Sequence, residues 1–333
     1  MTAPERTVVD LLTGTWRAQA LHAAAELGLA DGVADGHRAL TDLARWAGAE
    51  PAALRRLMRV LVELGVFEGD AQAGYRPTPV SELLRSDVPG SMRALCSLYG
   101  NEFHRAWSKV TTSVRTGGSG FEAEFGHSLH RHLATEPGAG PRFLAAMAAG
   151  STFFREVPDA HDFGGASTVV DVAGGDGSLL AAVLARHPHL NGVLLEQAHM
   201  APIAERVLGG HVPGDRYRVE VGDAFRQVPA DADVYLLSRV LQDWDDERCV
   251  RLLTTCREAM KGPDSRLLVV ERVVAESGGA PLSLVWDLHL LVVAGGGERT
   301  AEEYDALFAA AGLTVARVVD LALEAVLMVV APV

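Results

Sequence analysis

Five short apolar runs after about residue 165 constrain the fold most: STVVDVA, GVLLEQ, YRVEVGD, DVYLLS and RLLVVER. Stretches with helical periodicity separate them. Strand-like runs that alternate with helices make βαβ units, and these build a mostly parallel sheet covered by helices. The last such stretch, LTVARVVDLALEAVLMVVAP, reads as two strands in tandem, a hairpin at the sheet edge. Residues 161–333 are therefore expected to form an α/β domain around that sheet.

The preceding part reads differently. TDLARWAGA (41–49) and PAALRRLMRVLVELGVF (51–67) carry apolar residues at helical spacing, with Thr41 and Glu50-Pro51 as start signals. FEGDAQAGYRPTP follows as a candidate β-wing, so residues 1–95 resemble a winged helix. Arg55, Arg56 and Arg59 on the second helix raise a nucleic-acid reading. The formal charge of −13 opposes it, because phosphates are repelled. A dimerisation scaffold is the other reading. Residues 96–160 are expected to be a helical connector around a flexible break, RTGGSG (115–120).

With 48% hydrophobic residues the chain can form a sizeable core. Cys96, Cys249 and Cys256 form no CxxC pair and read as reduced thiols of a cytoplasmic protein. MTAPERTVVDLL is acidic and lacks a long apolar core, so no signal peptide is expected. No run of about 18 apolar residues occurs, so no membrane span is expected either.

VVDVAGGDGSLL (169–180) joins a buried strand to a helix through glycines. Such a turn lets backbone approach a ligand closely. A dinucleotide fingerprint needs glycine at position 180, which is Leu180, so a pyrophosphate cradle is disfavoured. Glu196 ends the next strand, where a carboxylate can accept both ribose hydroxyls. GDAF (222–225) ends the third, where Asp223 and Phe225 can hold an adenine. Singly, each residue could be turn or core. In order at successive strand ends they describe a nucleoside pocket without a phosphate site. S-adenosylmethionine fits it.

GYRPTP, LYGNEFHRAW, FEAEFG, LLSRV, TCREAM and SLVWDLHL extend the pattern over nearly the whole chain. On these residues the sequence resembles the class I S-adenosylmethionine-dependent methyltransferases. Within them it is similar to the dimeric small-molecule O-methyltransferases, most of all the phenazine methyltransferases of the pyocyanin pathway. The resemblance implies a Rossmann-like methyltransferase sheet behind an N-terminal helical, winged-helix-like dimerisation domain. It implies a homodimer, a small aromatic substrate, S-adenosyl-L-methionine as cofactor and S-adenosyl-L-homocysteine as product. The cofactor residues it implies are Asp171, Gly174, Gly175, Gly177, Glu196, Asp223, Ala224, Phe225, Ser238, Arg239 and Trp244. For Trp244 a plain core position is the alternative.

In that family the fourth strand leads to a His-Asp-Trp segment whose histidine deprotonates a phenolic hydroxyl. Here SRVLQDWDDER places Gln242 at that position, before Asp243 and Trp244. The family's two flanking glutamates match Glu271 and Glu298. Glutamine cannot take up a proton at neutral pH. Methyl transfer needs a base only when the nucleophile has a proton to lose. A ring nitrogen with a free lone pair needs none, and an acidic phenol or N-hydroxyl can arrive ionised. Otherwise Asp243, His289 or Glu271 must serve. Asp245 and Asp246 read as the cap of the next helix.

His289 lies on WDLHLLVVAG and could join Asp243 at a metal. With Gln242 in place of a stronger ligand no metal site is assigned. HSLHRH (127–132) reads as a solvated helix face. Tyr99, Phe103, His104, Trp107, Phe143, Met147, Trp286 and His289 are the candidates for contact with a flat substrate. Methyl transfer to a ring nitrogen or hydroxyl oxygen is the expected reaction. The competing expectations are another phenolic or polyketide acceptor, a cofactor-holding relative with different chemistry, and a ligand-sensing regulator.

Overall fold

The computed structural model describes residues 3–275, 278 and 281–333. The chain divides into two compact units. One is Met1–Arg105 with His132–Gly150, the other Ala106–Arg131 with Ser151–Val333. Residues 96–160 are thus shared between the units.

In the first unit, helices Leu40–Trp46 and Pro51–Glu63 precede an antiparallel pair, β1 (Phe67–Asp70) and β2 (Gly74–Pro77). The helix-helix-wing order read from the sequence is therefore present. Glu50 caps the second helix by accepting from the N–H groups of Ala52 and Ala53. Thr41 does not start the first one, which begins at Leu40 after an Ala39 cap with no side-chain hydrogen bond. Thr41 already lies inside the first turn, beside Asp42, whose charge suits the helix N-terminus. Leu29, Leu43, Leu54, Met58, Leu61, Phe67 and Tyr75 fill the core.

The second unit holds a seven-stranded sheet: β3 (Thr168–Val172), β4 (Asn191–Glu196), β5 (Tyr217–Val221), β6 (Val234–Ser238), β7 (Arg266–Arg272), β8 (Leu313–Asp320) and β9 (Ala325–Pro332). Their order is β5-β4-β3-β6-β7-β9-β8. Strands β3 to β7 run parallel, and the β8–β9 hairpin adds antiparallel through β9. The five runs and the terminal hairpin match these strands.

Side chains alternate faces with period two, and both faces of β3, β4, β6, β7 and β9 are buried, whereas the edge strands β5 and β8 stay partly exposed. Val170, Val193, Tyr235, Leu237, Leu267 and Val269 share one core with helices Asp246–Ala259 and Ala301–Ala310. Val169, Leu194, Leu236, Leu268 and Val270 share the other with helices Ser178–Arg186 and Ala201–His211. Burial on both faces is why these strands read as unbroken apolar runs. The strand order reverses at β3 and β6, so a crevice is expected at their carboxyl ends.

Candidate active site

Four neighbouring strands end in the residues that the sequence singled out. Asp171 sits on β3, fully buried, and neither carboxyl oxygen has a hydrogen-bond partner. Burial pushes its pKa up to about 7, with Glu196 and Asp176 adding like charge. A side chain at Gly174 would collide with this carboxyl. The turn then takes left-handed backbone at Ala173 (φ 54°), Gly175 (φ 62°) and Gly177 (φ 80°). Glycine is free there, whereas Ala173 is strained, a feature common at ligand-binding turns.

Glu196 ties β4 to this turn. Its carboxylate accepts from Gly175 N at 2.9 Å and from Gln197 N at 2.7 Å. Beyond β5, Asp223 accepts from Phe225 N at 3.0 Å, with Ala224 packed on the adjoining core. Phe225 and Trp244 meet edge to face at 5.1 Å, and Arg248 lies over the Trp244 ring at 5.3 Å. Trp244 is thus half-buried beside the core rather than within it. At the end of β6, Ser238 Oγ is buried without a partner, and Arg239 is left-handed (φ 57°). Its guanidinium donates to Ser151 at 3.2 Å.

Gln242 and Asp243 occupy a short 3-10 turn after β6. Gln242 is 5% exposed. Its amide donates to Asp243, and its Oε1 has no donor. Burial raises the Asp243 pKa, while His130 and Arg239 hold it down. Glu271 accepts from Val240 N at 2.9 Å and Leu241 N at 2.8 Å through Oε1, leaving Oε2 without a partner. Burial and the nearby Glu298 drive its pKa well above the usual range. Burial lifts Glu298 to about 7, against the pull of Arg272 and Arg239. The loop carrying Glu298 is fastened back to the turn, since Gly297 N donates to Gln242 O at 3.0 Å. Gly296 has no room for a side chain against that same carbonyl.

His289 is buried on helix Pro281–Val293. Trp107 Nε1–H donates to its Nδ1 at 2.9 Å, and Trp286 meets it edge to face at 5.3 Å. Burial, then Arg239, pushes its pKa down to about 3. A neutral ring that accepts at Nδ1 carries its proton on Nε2. That tautomer makes His289 a donor toward any further group, which disfavours it as a base.

Of the remaining aromatic candidates, Tyr99 and Phe103 pack edge to face at 5.1 Å in the first unit. Phe103 is fully buried, His104 is exposed, and Phe143 and Met147 are half-buried on helix Ala139–Ala149. HSLHRH departs from a solvated face at His132, which is buried, whereas His130 is exposed with its ring against Trp244 at 6.1 Å. The helix there is Leu129–Thr135, and His132 shares its inward face with Leu129, three residues before it. Asp245 caps helix Asp246–Ala259 by accepting from Arg248 N, as expected.

Arg272 and Arg299 escaped the sequence reading. Both are buried. Arg272 lies over Trp286 at 4.7 Å, and Arg299 donates to Leu241 O at 2.9 Å and Trp244 O at 2.7 Å. Each follows a candidate glutamate, in VVER and GGGER, a neighbour that by itself reads as a solvated partner.

Comparison with known proteins agrees with this geometry. Residues 107–314 match the O-methyltransferase domain and residues 9–87 the O-methyltransferase dimerisation domain. The chain is 40% identical to phenazine-1-carboxylate N-methyltransferase of Pseudomonas aeruginosa, covering 99% of this chain and 98% of the relative. It is 43% identical to 3-amino-4-hydroxybenzoate 4-O-methyltransferase of Streptomyces cremeus, over 97% and 89%. The structure of CalO1, a methyltransferase in calicheamicin biosynthesis in its S-adenosylhomocysteine-bound form, superposes with a TM-score of 0.88 at 34% identity over all of both chains. The protein belongs to the O-methyltransferase family.

Proposed function

We propose that this S-adenosylmethionine-dependent enzyme methylates a ring nitrogen or hydroxyl oxygen of a small planar aromatic metabolite, with a phenazine-type acceptor as the best candidate. It would act in the cytoplasm as a homodimer built through residues 1–95, with helices in 96–160 on the substrate side and residues 161–333 holding the cofactor. No helix among the described residues is long and apolar enough to cross a membrane.

The cofactor fits the crevice. Asp171 is a buried acceptor whose carboxyl oxygens lack a hydrogen-bond partner, and Gly174 lies so close to that carboxyl that no side chain fits between them. When bound, S-adenosylmethionine supplies an electrophilic methyl group on a sulfonium. Asp171 and the glycine turn would hold its amino-acid end, Glu196 the ribose, and Asp223, Phe225 and Trp244 the adenine.

The acceptor side turns on Gln242. An amide locked by Asp243 can orient an aromatic acceptor but cannot remove its proton. Alignment alone can then carry the transfer, a proximity effect worth about 7–11 kcal/mol at best. Two nucleophiles satisfy that condition, a ring nitrogen and a hydroxyl already ionised. The N-methylating and O-methylating relatives support one each.

The test is product analysis. Purified protein is given S-adenosylmethionine with phenazine-1-carboxylate or with a hydroxyphenazine, and products are read by mass and NMR. Methylation at a ring nitrogen or at oxygen supports the reading and selects between its forms. Cofactor binding without methylation of either compound overturns the phenazine assignment.

A further inference from the structure

We propose that Arg299 is a positioning residue that fixes the turn carrying Gln242 and Asp243, and links it to Trp244 on the cofactor side.

The turn holds itself only by two long backbone bonds, Asp243 N to Val240 O at 3.2 Å and Trp244 N to Leu241 O at 3.3 Å. Its residues Leu241–Asp243 form a single 3-10 turn with no side-chain cap. Its backbone groups are buried and must be satisfied. Glu271 takes the N–H groups of Val240 and Leu241. Arg299 takes the carbonyls, Leu241 through Nη1 and Trp244 through Nη2. Cys249 Sγ reaches the same two carbonyls at 3.3 and 3.5 Å, as a much weaker donor. Gln242 is therefore framed on both sides by one guanidinium.

Arg299 is itself fixed. Its backbone bridges Val273, and its carbonyl accepts from Val274 N at 3.0 Å. Thr300, the next residue, caps helix Ala301–Ala310 with a reciprocal Glu303 bond. The planar fork suits two carbonyls at once, which an ammonium on a flexible stem does not. The outer bond to Asp246, at 2.8 Å, meets a carboxylate that is 77% exposed and is dispensable.

Arg299→Lys, Arg299→Met and Asp246→Ala, compared with wild type, test this. Hydrogen exchange of the 240–244 amides is read without substrate. Arg299→Met should raise it about tenfold or more, the factor for losing a hydrogen bond from a charged donor. Arg299→Lys should fall between. The kinetic arm rests on the methyl-transfer reading: kcat should fall about 100-fold in Arg299→Met, as for a misplaced reacting group, while the cofactor KM stays within about threefold. Asp246→Ala should leave both unchanged. Unaltered exchange at 240–244, a loss spread evenly over the unit, or an equal loss in Asp246→Ala would each overturn the proposal. If wild type methylates no aromatic acceptor, the functional reading fails while the exchange arm still decides the role of Arg299.

Discussion

The guanidinium of Arg272 stands 3.8 Å from a carboxylate oxygen of Glu298, and both side chains are shut off from solvent. The distance is too long for a tight ion pair, and neither Glu298 oxygen has a hydrogen-bond donor. Burial therefore prevails, and the Glu298 pKa rises from its ordinary 4.5 to about 7. A carboxyl raised on folding favours the native state while protonated. Its contribution is complete below about 4.5 and is lost as pH rises through about 7. Glu298→Gln removes that titration. The stability difference between pH 5 and pH 8 should shrink by about 1–3 kcal/mol, read by urea unfolding. An unchanged difference would show that Glu298 ionises normally.

His289 shifts the other way. Its pKa is depressed to about 3, so its contribution is present above 6.5 and is lost as pH falls toward 3. Its ring should show no titration by NMR between pH 4.5 and 8. His289→Ala also strands the Trp107 indole N–H, so it should cost about 1–3 kcal/mol in stability. A titration near 6.5 would contradict the buried neutral ring.

Gly174 tests the cofactor crevice. A methyl group there meets the Asp171 carboxyl, a clash that costs about 1–3 kcal/mol. Gly174→Ala should weaken S-adenosylhomocysteine binding about tenfold or more by calorimetry, with an unchanged circular dichroism spectrum. Full affinity would place the ligand elsewhere.

Much of this was legible in the chain itself. The strands were readable because burial on both faces leaves runs such as RLLVVER without polar interruption. Glu196 and Asp223 were suggestive only as a set, because each alone could be a turn residue and only their order at successive strand ends pointed to a pocket. Arg272 and Arg299 were not legible, because an arginine beside a glutamate reads as a solvated pair. Only the pairing of Val273 with Arg299 brings the two dipeptides together and buries them. His132 misled for a related reason: the histidines of HSLHRH look solvated until tertiary packing chooses a face.

The central claim is that no enzyme group at Gln242 removes a proton. It is tested most directly by kcat against pH for a series of hydroxylated aromatic acceptors of differing acidity. The account predicts that the apparent pKa of wild type moves with the acceptor's own hydroxyl, and that Gln242→His adds a limb near pH 6.5 that does not move. An apparent pKa that stays fixed across the series in wild type would reveal an enzyme base and contradict the account.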